Sequence, residues 1–292
     1  MEQRDLPIGV FDSGVGGLTV VRQLRNLMPN ESICYLGDTA RVPYGNKSPE
    51  TVVRYACEDA QFLIDRGVKA IVVACNTATA WALTTLQRTF SVPVMGVIEP
   101  GSETALIVSH SKRIGVIGTH ATIRSRAYNE AMKDRLQHIC VFSKSCPLLV
   151  PLVEEGWANH PIAEQVLEEY LTPLVKDDVD TIILGCTHYP VMKRTIVRVL
   201  KRISAHHIRL VDSAESCALH VRRRLMDLDL LTSSANLGTI TPFVTDSPGN
   251  FMKMVRLFLG IIPEKATQVT LKTVSTPKVL PLTEEPLDEE PK

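Results

Sequence analysis

Two stretches of the chain end an apolar run in a cysteine followed by small polar residues. "AIVVACNTATAW" (70–81) reaches Cys75 and continues with Asn76, Thr77 and Thr79, and "TIILGCTHYP" (181–190) reaches Cys186 and continues with Thr187 and His188. A thiol both accepts and donates a proton. Its ordinary pKa of about 8.5 leaves a modest thiolate fraction near neutrality, and a neighbouring polar or charged group tunes that fraction. One buried cysteine is most simply a small core residue. A matched pair at the ends of two buried strands suits a task that a single one cannot perform. Inverting a carbon centre by proton transfer needs a base on one face and an acid on the other, with the roles exchanged in the reverse direction. Asp12 is a candidate to tune Cys75, and His188 to tune Cys186, although a histidine here could equally serve a backbone carbonyl.

The remaining cysteines show no such matching. The chain carries seven, an odd number, at Cys34, Cys57, Cys75, Cys140, Cys146, Cys186 and Cys217, without a C-x-x-C pair. Neither a disulfide framework nor a zinc site is suggested, so no metal is expected. Lys and Arg balance Asp and Glu at 32 each. That balance gives no electrostatic reason to expect nucleic acid or an anionic membrane surface. No apolar run approaches the roughly 18 residues of a spanning helix, and the start, "MEQRDLPIGVFDSG", lacks the apolar core of a secretory leader. A cytoplasmic protein is expected.

The elements that must position the cysteines are legible as alternating patterns. Short β-branched runs at 8–12, 32–38, 70–75, 93–98, 113–119, 139–144, 181–186, 207–212, 241–246 and 268–274 predict strands. Between them, helical periodicity covers 17–28, 49–66, 78–89, 101–109, 122–136, 161–176, 191–203, 214–226 and 248–259. Ser48 and Ser247, each followed by proline, look like helix caps. The alternation predicts an α/β fold with doubly wound, flavodoxin-like parallel sheets.

The two strand sets resemble each other. "IGVFDSG" matches "IGVIGTH" and "AIVVACNT" matches "TIILGCTH"; Cys75 lies 62 residues after Ser13, and Cys186 lies 67 after Thr119. This is a degenerate duplication at a domain-sized period. It predicts two similar domains related by a pseudo-two-fold, with the active site in the cleft between them. The first would comprise residues 1–99 and 212–275, the second 100–211, with an acidic, proline-rich tail at 276–292 expected to be disordered. Ligands of such sheets bind beyond the carboxyl ends of the strands, where Asp12, Ser13, Asp38, Cys75, Thr119 and Cys186 fall. "DSGVGG" (12–17) follows a strand and opens a helix but is neither G-x-G-x-x-G nor G-x-x-x-x-G-K-[ST]. Its backbone N–H groups suit a carboxylate as well as a phosphate. "VPYGNKS" (42–48) reads as a loop in which Tyr44 and Gly45 could offer donors to an anion.

Four segments in this order and spacing, "VFDSGVGGLTV", "YLGDTARVPYGNKS", "VVACNTATA" and "LGCTHYP", resemble the glutamate racemase branch of the aspartate/glutamate racemase superfamily. The resemblance spans about residues 7–274. It implies a cofactor-independent enzyme that interconverts L- and D-glutamate and supplies D-glutamate for peptidoglycan. It implies that Cys75 takes the α-proton of D-glutamate and Cys186 that of L-glutamate, the other thiol reprotonating. It further implies that Asp12 and Ser13, Tyr44 and Gly45, Asn76 and Thr77, Thr119, and Thr187 and His188 contact the substrate or tune the thiols. Glu154, in "PLVEEG", corresponds to an acidic residue near the second cysteine, and Asp38 to a further polar support. Family members usually form dimers, so a homodimer is expected. The acidic tail is not a family feature, and the start lacks the extension with which some members bind an activating cell-wall precursor. Rival readings are a related racemase acting on aspartate, a glutamate-binding module without Cα exchange, and a thiol redox protein. The last needs two cysteines within disulfide reach.

Overall fold

The computed structural model describes residues 2–260, 263 and 265–274; the acidic tail lies outside them. The chain runs β1 (Ile8–Asp12), α1 (Leu18–Leu27), β2 (Ile33–Gly37), α2 (Pro49–Ile64), β3 (Ala70–Val73), α3 (Asn76–Thr89), β4 (Val94–Gly96) and α4 (Ile98–Val108). It continues through β5 (Arg113–Gly118), α5 (His120–Arg124), α6 (Ala127–Lys133), β6 (Cys140–Ser145), α7 (Leu149–Glu154), α8 (Pro161–Lys176), β7 (Thr181–Gly185), α9 (Lys193–Arg202) and β8 (Arg209–Asp212). Last come α10 (Ser213–Asp227), β9 (Ile240–Val244), α11 (Pro248–Leu259) and β10 (Thr267–Gln268). Among the described residues no helix is long and apolar enough to cross a membrane.

Two wholly parallel sheets result, ordered β10-β9-β2-β1-β3-β4 and β6-β5-β7-β8. The order β2-β1-β3-β4 in the first is repeated as β6-β5-β7-β8 in the second, so the duplication read from the sequence is also one of topology. β1, β3 and β7 are buried at every residue. Covered on both faces, they read as unbroken apolar runs rather than alternating ones. Helix starts are fixed locally. Ser48 Oγ accepts from Thr51 N at 3.3 Å ahead of Pro49, and Asp212 Oδ1 accepts from Ala214 N at 3.0 Å.

Several elements depart from the sequence pattern. The segment 122–136, expected as one helix, divides into α5 and α6 because Arg126 takes a left-handed conformation at φ 56° between them. The strand expected at 268–274 is reduced to the two-residue edge pairing of β10; short edge strands offer little template for unwanted pairing. Helix α3 starts two residues early, at Asn76, because the Cys75 side chain itself accepts from Ala78 N. Ser247 makes no capping bond with its side chain; Pro248 alone marks the start of α11. Helix α7 has too few residues for a periodic signal and was not anticipated.

The apolar core is continuous between the sheets. One cluster fills the space between one face of the first sheet and α2 and α3, through Phe11, Leu36, Ala56, Leu63, Val73 and Ala82. The other runs from Val10 on the opposite face, through Val20 of α1, Ala105 of α4 and Val221 of α10, to Val116 and Ile182 of the second sheet. Shared burial of this kind resists relative displacement of the sheets, since each apolar residue exposed costs on the order of 1.5–3 kcal/mol.

At the amino ends of the first sheet's strands, remote from the cysteines, Lys69 is fully buried. Its Nζ donates to Glu31 Oε2 at 2.5 Å and to the Arg4 carbonyl at 2.5 Å, while Glu31 Oε1 accepts from Thr232 N at 2.8 Å. This group ties the start of the chain, the approach to β2, the approach to β3 and the segment after α10. Lys69→Met leaves a buried carboxylate without its counter-charge, so urea unfolding is expected to show a loss of about 3–5 kcal/mol. Adding Glu31→Leu should recover most of it. A single variant as stable as the parent would show that the pair contributes nothing.

Candidate active site

The carboxyl ends of the two sheets face each other. Thr187, after β7, donates to Asp12 Oδ1 at the end of β1 (3.3 Å), and Thr19 Oγ1 donates to the Thr187 carbonyl (3.0 Å). On the other side, Thr77, after β3, meets Thr119, after β5, at 2.9 Å between hydroxyls. Strand order makes β1 equivalent to β5 and β3 to β7. The contacts β1–β7 and β3–β5 therefore exchange under the two-fold, and each thiol occupies the equivalent place on its own sheet.

Close approach is built in by glycine at two crossings. A Cβ on Gly16 would stand 2.3 Å from Thr187 Oγ1 and 2.5 Å from His188 Nδ1, and one on Gly45 would stand 2.9 Å from Thr119 Cβ. Both positions need a residue without a side chain. Gly16 of "DSGVGG" thus lets one loop lie against the other sheet's cysteine loop, a use distinct from cradling phosphate.

Cys75 caps the N-terminus of α3. Its sulfur accepts from Ala78 N at 3.4 Å and donates to Ser13 Oγ at 3.6 Å. A helix N-terminus favours a thiolate, but burial pushes this thiol up to about 12, and the negative charges of Asp12 and Cys186 push the same way. Cys75 is therefore held protonated, against the modest thiolate fraction expected for a free thiol. Asp12 is fully buried, and burial raises its own pKa against the lowering influence of His188 and of the Gly14 and Gly17 N–H groups.

Cys186 has different company. His188 Nδ1 lies 4.0 Å from its sulfur, and His188 Nε2 lies 2.9 Å from Glu154 Oε1 at the end of α7. Burial works against the imidazolium, but bonding to Cys186 and Glu154 outweighs it and brings His188 up to about 10. The Phe258 ring, edge-on at 5.2 Å, packs on the imidazole. His188 thus bridges the Glu154 carboxylate and the Cys186 sulfur, placing an imidazolium beside the second thiol.

Between the thiols are hydrogen-bonding groups. Asn76 accepts from the Tyr128 hydroxyl at 2.7 Å through Oδ1, while its buried Nδ2 has no partner. An unsatisfied buried donor costs about 1–3 kcal/mol, so this NH₂ is a ready donor to a ligand. Thr77, Thr119 and Thr122 form a triangle of hydroxyls with sides of 2.9, 3.1 and 3.0 Å. Among the described residues no group of three or more His, Cys, Asp or Glu side chains is arranged to hold a metal ion.

The cleft thus gathers Asp12, Ser13, Cys75, Asn76, Thr77, Thr119, Cys186, Thr187, His188 and Glu154. Gly45 lies at its edge through Thr119. Tyr44 differs: its hydroxyl is buried against Asp38 Oδ2 (2.5 Å) and Asp59 Oδ2 (2.9 Å), and Arg41 bonds Asp38, Glu58 and Asp59 behind it. That side chain anchors the loop, and Asp38 supports it from outside the cleft. Sequence reasoning did not single out Thr122 or Tyr128. Thr122 stands three residues past a helix cap, a spacing that was legible; Tyr128, inside a short helix, gave no signal.

Known proteins resemble this chain in sequence and in fold. The profile of the family described as Asp/Glu/Hydantoin racemase matches residues 18–221. The chain is 49% identical over 253 residues to a glutamate racemase of Geobacter metallireducens, covering 87% of this chain and 92% of that one. Its structure superposes on glutamate racemase isoform RacE1 of Bacillus anthracis with a TM-score of 0.87 at 38% identity, covering 91% of this chain and 98% of the other. The glutamate racemase of Francisella tularensis in complex with D-glutamate matches with a TM-score of 0.85 at 38% identity over the same shares. With the family profile, close relatives and fold in agreement, the chain belongs to the Asp/Glu/hydantoin racemase family.

Proposed function

We propose that the chain racemises glutamate without a cofactor, by moving the α-proton between Cys75 and Cys186, and so supplies D-glutamate for peptidoglycan. The observation that carries this reading is the placement of two thiols at equivalent strand ends of facing, duplicated sheets. The glutamate specificity follows the names borne by the relatives, including one solved with D-glutamate.

From L-glutamate, the Cys186 thiolate takes the α-proton on one face while the Cys75 thiol delivers its proton to the other. The enzyme is left with Cys186 protonated and Cys75 ionised, and it resets by proton exchange with water once product has left. D-Glutamate runs the same path backwards. The imidazolium of His188, held by Glu154, stabilises the Cys186 thiolate before reaction. Among the described residues Cys75 has no counterpart cation, but the α-ammonium group of the substrate brings positive charge beside Asp12 and lowers the cost of a thiolate there. The α-proton is a poor acid, so charge developing on the carboxylate must be stabilised. The hydroxyls of Ser13 and Thr77 are donors for that purpose, while the unpartnered Asn76 NH₂ binds the carboxylate in ground and transition state alike.

Three outcomes test the reading. Cys75→Ala and Cys186→Ala should each lower racemisation of either enantiomer by at least the roughly 10²–10⁴-fold that a positioned acid or base contributes, with circular dichroism unchanged. Full turnover in the double variant would sink the thiol mechanism, and faster turnover of aspartate than of glutamate would move the substrate. In heavy water the product should carry deuterium at Cα, and product retaining its original hydrogen would remove the deprotonation step. Glu154→Gln withdraws one of the two groups that raise His188, so its imidazolium titrates at lower pH. The alkaline fall of kcat/KM should shift to lower pH in step with the His188 NMR titration, and an unmoved profile would exclude His188 as the cation supporting Cys186.

A further inference from the structure

Tyr128 lies in the second lobe on α6, is 2% exposed, and touches the approaches to both cysteines. Its hydroxyl donates to Oδ1 of Asn76, the residue after Cys75. Its ring packs on Gly185, the residue before Cys186; a Cβ there would come within 3.1 Å of Tyr128 Cε2. Ser213 stands beside the same phenol and donates to the carbonyl of Leu184 at 2.9 Å. Tyr128 thereby contacts both the start of α3, through its hydroxyl, and the end of β7, through its ring.

A carboxamide has two ends of nearly equal shape and opposite hydrogen-bonding sense. Only its partners decide which end faces a ligand. Burial keeps the phenol protonated and so a donor. By occupying Oδ1 it leaves Nδ2 as the buried end without a partner. A carboxylate arriving at Asn76 then meets a donor rather than a repelling oxygen.

We propose that Tyr128 is a positioning residue for the racemase site: its hydroxyl fixes the Asn76 carboxamide with the NH₂ toward the substrate, while its ring holds the backbone leading into Cys186. The proposal rests on the reading of Asn76 as a substrate donor. Tyr128→Phe keeps the ring and removes the hydroxyl, so the amide is free to turn. KM for both glutamate enantiomers is expected to rise about tenfold, as for loss of one hydrogen bond to a charged group, with kcat changing much less and the thermal midpoint nearly kept.

The decisive measurement is a double-mutant cycle with Asn76→Ala, reading KM for each enantiomer. If Tyr128 acts through Asn76, Asn76→Ala raises KM and Tyr128→Phe adds nothing in that background. Full additivity of the two changes, or a normal KM in Tyr128→Phe while Asn76→Ala raises it, overturns the positioning role of Tyr128 and leaves Asn76 as a donor. An unchanged KM in Asn76→Ala overturns the reading of Asn76, and the proposal with it.

Discussion

The separation of the two sheets is set by a few polar contacts, the bond from Thr187 to Asp12 on one side and the Thr77–Thr119 pair on the other. Everything chemical in the cleft depends on them. A misplacement of about 1 Å can cost a reaction about 10²-fold, and neither cysteine can be moved separately once the loops are locked. Gly16 and Gly45 permit this spacing because a Cβ at either place would press on Thr187 and His188 or on Thr119 across the cleft. The continuous core beneath, through α1, α4 and α10, makes that spacing a property of the whole fold rather than of two loops.

The cleft is also defined by where it puts charge. Asp12 and Cys75 are buried together on one side, each made harder to ionise by burial. His188 carries its proton to about 10 on the other. The site is thus acidic and proton-rich near Cys75 and cationic near Cys186. An amino acid, with an ammonium at one end and carboxylates elsewhere, complements such a field better than a simple anion would.

Much of this architecture was visible in the residues. The duplication showed in the matched endings of "AIVVAC" and "TIILGC", and the repeated strand order shares its cause. Strand-end placement drew attention to Asp12 and Thr119, because ligand-facing ends of parallel strands are few. Glu154 came only through family resemblance, since α7 is too short to announce itself and the carboxylate reaches His188 from a distant part of the chain. The break at Arg126 was invisible because a left-handed residue other than glycine carries no compositional mark. Tyr44 stood out for its loop, but the direction of its hydroxyl depends on Asp38 and on Asp59 of α2. Contacts of that kind belong to tertiary packing and leave no local pattern.

The unlike surroundings of two equivalently placed thiols have a thermodynamic corollary. Mirror-image substrates have equal free energies in water, so the equilibrium constant of a racemase is one, and no asymmetry in the protein can change it. kcat/KM must therefore be the same in both directions at every pH. Giving Cys186 an imidazolium and Cys75 a carboxylate can only bind one hand more tightly and turn it over proportionately more slowly. In a cell that consumes one hand, the net flux is set by that withdrawal, while under the proposed two-thiol mechanism the difference between the thiols decides which enantiomer occupies the resting enzyme.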